Sequence, residues 1–250
     1  MRSVKIIPGI IILVVFSGCE NINKIFKGDN AEKEMRREVV VLLDVTGSTK
    51  DTRGDFVYPM ERIFKALNPG DALIILKIEG MREVQLKPLF ELELPSLEGA
   101  PNQYHKDKLK RQVERSKVDT FNYFINNIFN KKVAKVEGSN FSDLIGAIKL
   151  GAVCFKVSQD RKKVLVILSD MIQDTGDLNF EKVVPDEKLT DSIISRTSDF
   201  PDLRGVTVYI AGLKHEIREK KEKIALFWRR YLERAGASEV IFDDMLISFR

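Results

Sequence analysis

Five oxygen-bearing side chains stand where a folded chain could use them together. Asp44-Val45-Thr46-Gly47-Ser48 follows the apolar run Val39–Leu43, and Asp170 follows a second run, Val164–Leu168. Ser142 opens an apolar stretch of helical period. Alternation aims Asp44, Thr46 and Ser48 to one side of an extended turn, and Gly47 permits the bend. The set is two carboxylates and three hydroxyls, without thiol or imidazole. Hard cations such as Mg2+ take oxygen ligands of this kind in octahedral array, with water completing the shell. Ser139, three residues before Ser142, is an alternative hydroxyl.

Those residues are far apart in the chain, so a scaffold must gather them. VVVLL (39–43), ALIILKI (72–78), VLVIL (164–168) and VTVYIA (206–211) read as strands, the longer runs as strands buried on both faces. Val84–Leu89 reads as an edge strand and Val240–Phe242 as the last. Apolar residues at 3.6-residue spacing predict helices over 56–67, 106–130, 142–157 and 217–235, and a short one near 188–195. Ser142 stands where it would cap the third of these. Strands alternating with helices argue a doubly wound α/β fold, with a mainly parallel sheet covered by helices on both faces. Ligands of such a fold bind beyond the carboxyl ends of the strands, where Asp44, Ser142 and Asp170 all belong.

The three segments together resemble the von Willebrand factor A (VWA) family and its metal-ion-dependent adhesion site. Asp44, Thr46 and Ser48 match the family's D-x-S-x-S, with Thr for the first Ser. Ser142-Asp143-Leu144-Ile145-Gly146-Ala147 matches its T-D-hydrophobic-x-x-A pattern, with Ser for Thr, and Asp170 matches its last Asp. Both departures keep the hydroxyl. Met171 stands where the family usually has Gly. The resemblance covers roughly residues 38–245. It implies a bound Mg2+ (or Mn2+) at Asp44, Thr46, Ser48, Ser142 and Asp170, and binding rather than catalysis. A protein partner would bring an Asp or Glu to the cation. A cation with neutral hydroxyls around it keeps much of its charge and attracts such a carboxylate.

The N-terminus reads as an address. Arg2 and Lys5 precede an apolar stretch, Ile6–Phe16, then Ser17, Gly18 and Cys19. Eleven residues are too few to span a bilayer, which takes about 20, but suit the core of an export signal. The order resembles a bacterial lipoprotein signal, with residues 1–18 removed and Cys19 lipidated, although Phe16 replaces the usual Leu. An ordinary secretory signal with an incidental Cys shares the first two features. Glu20 after the Cys resembles default sorting to the outer membrane where two membranes exist. Residues 19–37 then form a charged tether and residues 38–250 a single VWA-like domain at the cell envelope. Extended, the tether reaches roughly 60 Å at about 3.4 Å per residue.

Composition narrows the classes. The chain has 250 residues, 44% of them hydrophobic, which suffices for a core. A net charge of +4, without a basic block, argues against nucleic acid. Two Cys exclude a disulfide scaffold, and Cys154 reads as an inert core residue. The basic residues of Lys214–Lys223 alternate with Glu and read as a solvated helix face. No GxxxxGK loop or G-x-S-x-G elbow occurs. Arg53-Gly54-Asp55 is an adhesion tripeptide by letter, and a solvated turn is its plainer reading. Asp174 and Asp177, after Asp170, would widen an acidic rim or simply solvate the loop. The alternatives to a metal-dependent binder are a metal-independent structural subunit and, less favoured, a Mg2+-dependent hydrolase.

Overall fold

Runs of β-branched and aliphatic residues build the centre of the molecule. The computed structural model describes residues 36–78, 80, 87–155, 161–176, 178–213 and 217–249. The expected leader and Cys19 lie outside these residues, as does Asp177. The strands are β1 (Arg36–Asp44), β2 (Ala72–Ile78), β3 (Phe90–Glu93), β4 (Arg161–Leu168), β5 (Val206–Ala211) and β6 (Glu239–Phe242). They form one sheet in the order β3-β2-β1-β4-β5-β6. Every neighbouring pair is parallel except β2 with β3. This is the doubly wound α/β fold that the strand and helix pattern implies.

The helices are α1 (Val57–Ala66), α2 (Gln103–Tyr123), the short α3 (Asn130–Lys132), α4 (Leu144–Cys154), α5 (Glu187–Arg196) and α6 (Arg218–Arg234). A π-helical turn over Phe124–Phe129 joins α2 to α3. β1 shows why both sheet faces are apolar. Val40 and Leu42 pack with Leu144, Ile148, Phe227 and Trp228 on one face. Val39, Val41 and Leu43 pack with Met60, Ile63, Phe64 and Phe124 on the other. Among the described residues no helix is long and apolar enough to cross a membrane.

Four strands differ from their sequence reading: β4 begins at Arg161 and β6 at Glu239, slightly earlier than expected, and the larger differences are in β1 and β3. β1 begins at Arg36, inside the expected tether. There Arg37 is buried, and its Nε and Nη2 donate to Asp71 Oδ2 at 2.9 and 2.8 Å. A buried ion pair takes charge out of water only where each partner offsets the other, and here Arg37 Nη1 is left without a hydrogen bond among the described residues. The edge strand among the described residues is Phe90–Glu93, which begins after the end of the expected Val84–Leu89. Residues 84–86 lie outside the described residues, while Lys87–Leu89 precede the strand. Phe90-Glu91-Leu92-Glu93 alternates in burial, as a half-covered antiparallel edge does. Cys154 is free and partly buried, and burial raises its thiol, which keeps it protonated and unreactive at neutral pH.

Candidate functional site

The sheet order reverses between β1 and β4, because β2 continues to one side of β1 and β4 opens the other. A crevice forms at such a reversal, beyond the carboxyl ends of the two strands. Asp44 is the last residue of β1, and Ser169 and Asp170 directly follow β4. Ser142 immediately precedes Asp143 at the start of α4. A cleft of about 430 Å3 opens here, lined by Thr46, Ser48 and Ser142 among others. The fold thus gathers all five sequence-selected residues at one end of the sheet.

Hydrogen bonds order the floor of the cleft. Asp44 Oδ1 accepts from the Thr46 amide at 2.9 Å and from Thr46 Oγ1 at 2.6 Å. Its Oδ2 accepts from Ser169 Oγ at 2.6 Å. Thr46 Oγ1 and Ser48 Oγ stand 3.2 Å apart. Burial pushes the Asp44 carboxyl above its ordinary value, against the opposing pull of Ser169, Thr46 and Arg53. Burial, and then the Asp44 charge, push Asp170 up to about 6, with hydrogen bonds from the Ile172 amide and Ser48 opposing. Two carboxylates close together in an apolar surround disfavour each other's charge.

Ser142 decides whether a cation suits this set. Its Oγ is buried and has no hydrogen-bond partner among the described residues. A buried polar atom without a partner costs about 1–3 kcal/mol, so it calls for an explanation. It is not the helix cap expected from sequence. Asp143 takes that place, its Oδ1 accepting from the Gly146 amide at 2.9 Å. Ser142 instead pairs its backbone with Asp174, amide to carbonyl at 3.1 and 2.9 Å, which turns it toward the loop after β4. Ser139 is the poorer hydroxyl, since its Oγ already accepts from the Phe141 amide at 3.0 Å. Among the described residues no three His, Cys, Asp or Glu side chains converge as a metal-holding group. Any cation here would therefore have hydroxyls for most of its protein ligands. Thr46, Ser48 and the orphaned Ser142 offer them beside two buried carboxylates, and the donor chemistry fits a hard divalent ion.

Arg53 braces this floor. The guanidinium is buried, and its Nη2 donates to the carbonyls of Val45 and Thr46 at 2.6 and 2.7 Å. Its Nη1 donates to Val133 O at 2.9 Å and also to Val136 O. The side chain so ties the Asp44–Ser48 loop to the segment that leads to Ser142. Gly138 allows the approach: it has φ +86°, and a Cβ there would lie 2.6 Å from both Arg53 Nη2 and Val45 O. The Arg53-Gly54-Asp55 tripeptide is therefore neither a solvated turn nor an adhesion ligand, because its Arg is 1% exposed. Nothing local in the sequence marks that role. Ser169 was not among the residues selected from sequence, although a hydroxyl next to Asp170 at a strand end is the signal that could have found it. Met171, where the resemblance leads one to expect Gly, has φ 63°. A left-handed backbone of this kind is one that Gly adopts without strain and a side-chain-bearing residue adopts rarely. Here the buried Met171 is fixed by Trp228, whose Nε1 donates to its carbonyl at 2.8 Å.

Fold and site define a doubly wound α/β domain with an oxygen-lined cleft at its switch point. No protein-family model and no curated protein matches the chain. Solved structures resemble it. One is a von Willebrand factor type A protein from Catenulispora acidiphila, at 12% identity and TM-score 0.41, covering 84% of this chain and 40% of that one. Another is BatB from Bacteroides thetaiotaomicron, at 11% and 0.40, covering 83% and 90%. A third is proximal thread matrix protein 1 from the mussel byssus with a zinc-occupied MIDAS motif, at 13% and 0.36, covering 86% and 46%. The chain spans less than half the length of the first and third.

Proposed function

We propose that this chain is a lipid-anchored envelope protein whose VWA-like domain binds a protein partner through a divalent cation, as an adhesin or an assembly scaffold. The observation that carries the reading is the buried, unpartnered hydroxyl of Ser142, in one cleft with Thr46 and Ser48. Thr46, Ser48 and Ser142 would hold Mg2+ or Mn2+ directly. Asp44 orients Thr46 through its Oδ1, and Asp170 supplies the second buried carboxylate. When bound, the cation offers its remaining positive charge to a carboxylate of the partner. Arg53 keeps the loop carbonyls engaged, so the hydroxyls stand ready before any ion arrives.

The test is a calorimetric titration of the full chain with Mg2+ and Mn2+. Uptake by the parent, and its loss in Asp44→Ala and Ser142→Ala, is the expected result. A folded parent that takes up neither ion, even with an acidic peptide present, returns the chain to the metal-independent structural reading. The anchor is a separate proposal, resting on the order of basic start, apolar run, small pair and Cys19. Cys19→Ala is expected to move the chain out of the membrane fraction on cell fractionation. Retention there would discard lipidation at Cys19.

A further inference from the structure

α2 runs on past the helix that it packs against. Phe121 lies beside Phe64 of α1, with ring centroids 5.5 Å apart. One turn earlier, Lys117 Nζ donates to Lys65 O and Leu67 O, both at 2.9 Å, where α1 ends. The two helices are therefore antiparallel, and α2 from Lys117 back to Gln103 continues beyond that end. At about 1.5 Å per residue this is roughly 20 Å of helix. Burial agrees. Val113 is buried, whereas residues 103–112 are exposed, with only Leu109 half-buried.

Positive charge gathers on this part. Lys117 is paired with Glu114 at 2.7 Å. That leaves Lys106, Lys108, Lys110, Arg111 and Arg115 against Asp107, a surplus of four, as large as the +4 of the whole chain. Among the described residues none of these five side chains forms an ion pair, and Arg111 Nε donates only to the Asp107 carbonyl, at 3.3 Å. Lys106 with Lys110, and Arg111 with Arg115, are like charges four residues apart, a spacing that weakens a helix. An anionic surface converts the same charges into a stabilising contact.

This half of α2 stands at the end of the sheet where the preceding chain joins. Arg36 opens β1, and its Nη2 donates to Glu98 Oε2 at 2.8 Å. Glu98 shortly precedes Asn102, whose Oδ1 caps α2 by accepting from the His105 amide at 3.0 Å. An anchor among residues 1–35 draws this end toward a bilayer. Asp44, at the other end of β1, holds the cleft roughly 25 Å away at about 3.3 Å per residue. Tyr104, in the first turn of α2, is 68% exposed, an apolar ring with a polar tip that suits a headgroup layer.

We propose that the basic half of α2 docks on anionic phospholipid headgroups of the membrane that carries the chain, and so turns the cleft away from that membrane. The setting rests on the envelope-anchor reading. A basic patch adds to a lipid chain as a second membrane signal.

The experiment sediments the full chain with vesicles of phosphatidylcholine, with and without phosphatidylglycerol. A Lys or Arg beside an anionic leaflet is worth about fivefold in partitioning, so two in contact give a preference for the anionic vesicles of roughly tenfold or more. Raising the salt reduces it. The combined variant Lys106→Gln, Lys108→Gln, Lys110→Gln, Arg111→Gln, Arg115→Gln is expected to bring the preference to about twofold or less, the remainder of distant and screened charges. Those side chains are exposed and Gln is a good helix former, so the variant should keep the thermal midpoint of the parent. Equal sedimentation with both vesicles, or a preference that survives in the folded variant, overturns the proposal. So does capture of polyglutamate in place of the vesicles, which assigns the helix to an acidic protein. An acyl chain on Cys19 enters both vesicles alike, so loss of the preference leaves the anchor standing, and failure of the anchor shows separately in the Cys19→Ala fractionation.

Discussion

Arg53→Ala is expected to destabilise the domain by at least about 3 kcal/mol, since it leaves buried acceptors without their charged donor. The guanidinium donates to four main-chain carbonyls, those of Val45, Thr46, Val133 and Val136. Truncation leaves them to whatever water enters the space. It also removes the positive charge that opposes the upward push on Asp44. Arg53→Lys should recover little, because a single ammonium does not reproduce a planar fork aimed at carbonyls of two segments. Urea unfolding reads the effect as a lower midpoint at unchanged slope. Calorimetry should show weaker Mg2+ uptake in whatever folded Arg53→Lys protein is obtained, because Thr46 sits on the braced loop. A midpoint within error of the parent would mean that the loop holds its shape without the brace.

Sequence legibility followed the range of the forces involved. β2 and β5 were readable to the residue, because each is an apolar run ending at a turn residue, Asp71 before β2 and Gly212 after β5. The start of β1 was hidden because Arg36, Arg37 and Glu38 continue the charge pattern of the preceding segment. Partners distant in sequence, Asp71 and the Ala66 carbonyl, make a buried Arg37 tolerable. The choice of Asp143 over Ser142 as helix cap was equally non-local. Both types cap well, and the pairing of Ser142 with Asp174, across the cleft loop, settles which one does. The five candidate residues could be selected because coordination chemistry restricts residue types, and strand order with the start of α4 brings them to one end of the sheet. Arg53 was not, since bracing a loop leaves no periodicity to read. Met171 was visible as an anomaly, and the hydrogen bond from Trp228 shows what holds it.

Asp170 makes stability depend on pH in a direction opposite to that of an ordinary salt-bridged carboxylate. Its carboxyl is raised from 3.8 to about 6 in the folded chain, so the folded state holds this proton more tightly than the unfolded state. Its contribution is therefore fully present below the unfolded value and is lost as pH rises through about 6. At about 1.4 kcal/mol per unit, the loss is on the order of 3 kcal/mol between pH 4 and pH 7. The charges that act on the group are those of Asp44 and Glu181, both raising it, while Arg53 acts on Asp44. A divalent ion bound beside the ionised pair relieves the same repulsion that costs stability at neutral pH. Thermal unfolding of the metal-free chain should thus give a midpoint that falls from pH 5 to pH 7.5, and Mg2+ should raise it far more at the upper pH than at the lower. Asp170→Asn removes the titrating group, so it should flatten the metal-free profile and abolish most of the Mg2+ shift. A metal-free midpoint that climbs across this window would mean that Asp44 and Asp170 do not share a buried charge. A Mg2+ shift of equal size at both pH values would place the ion away from them.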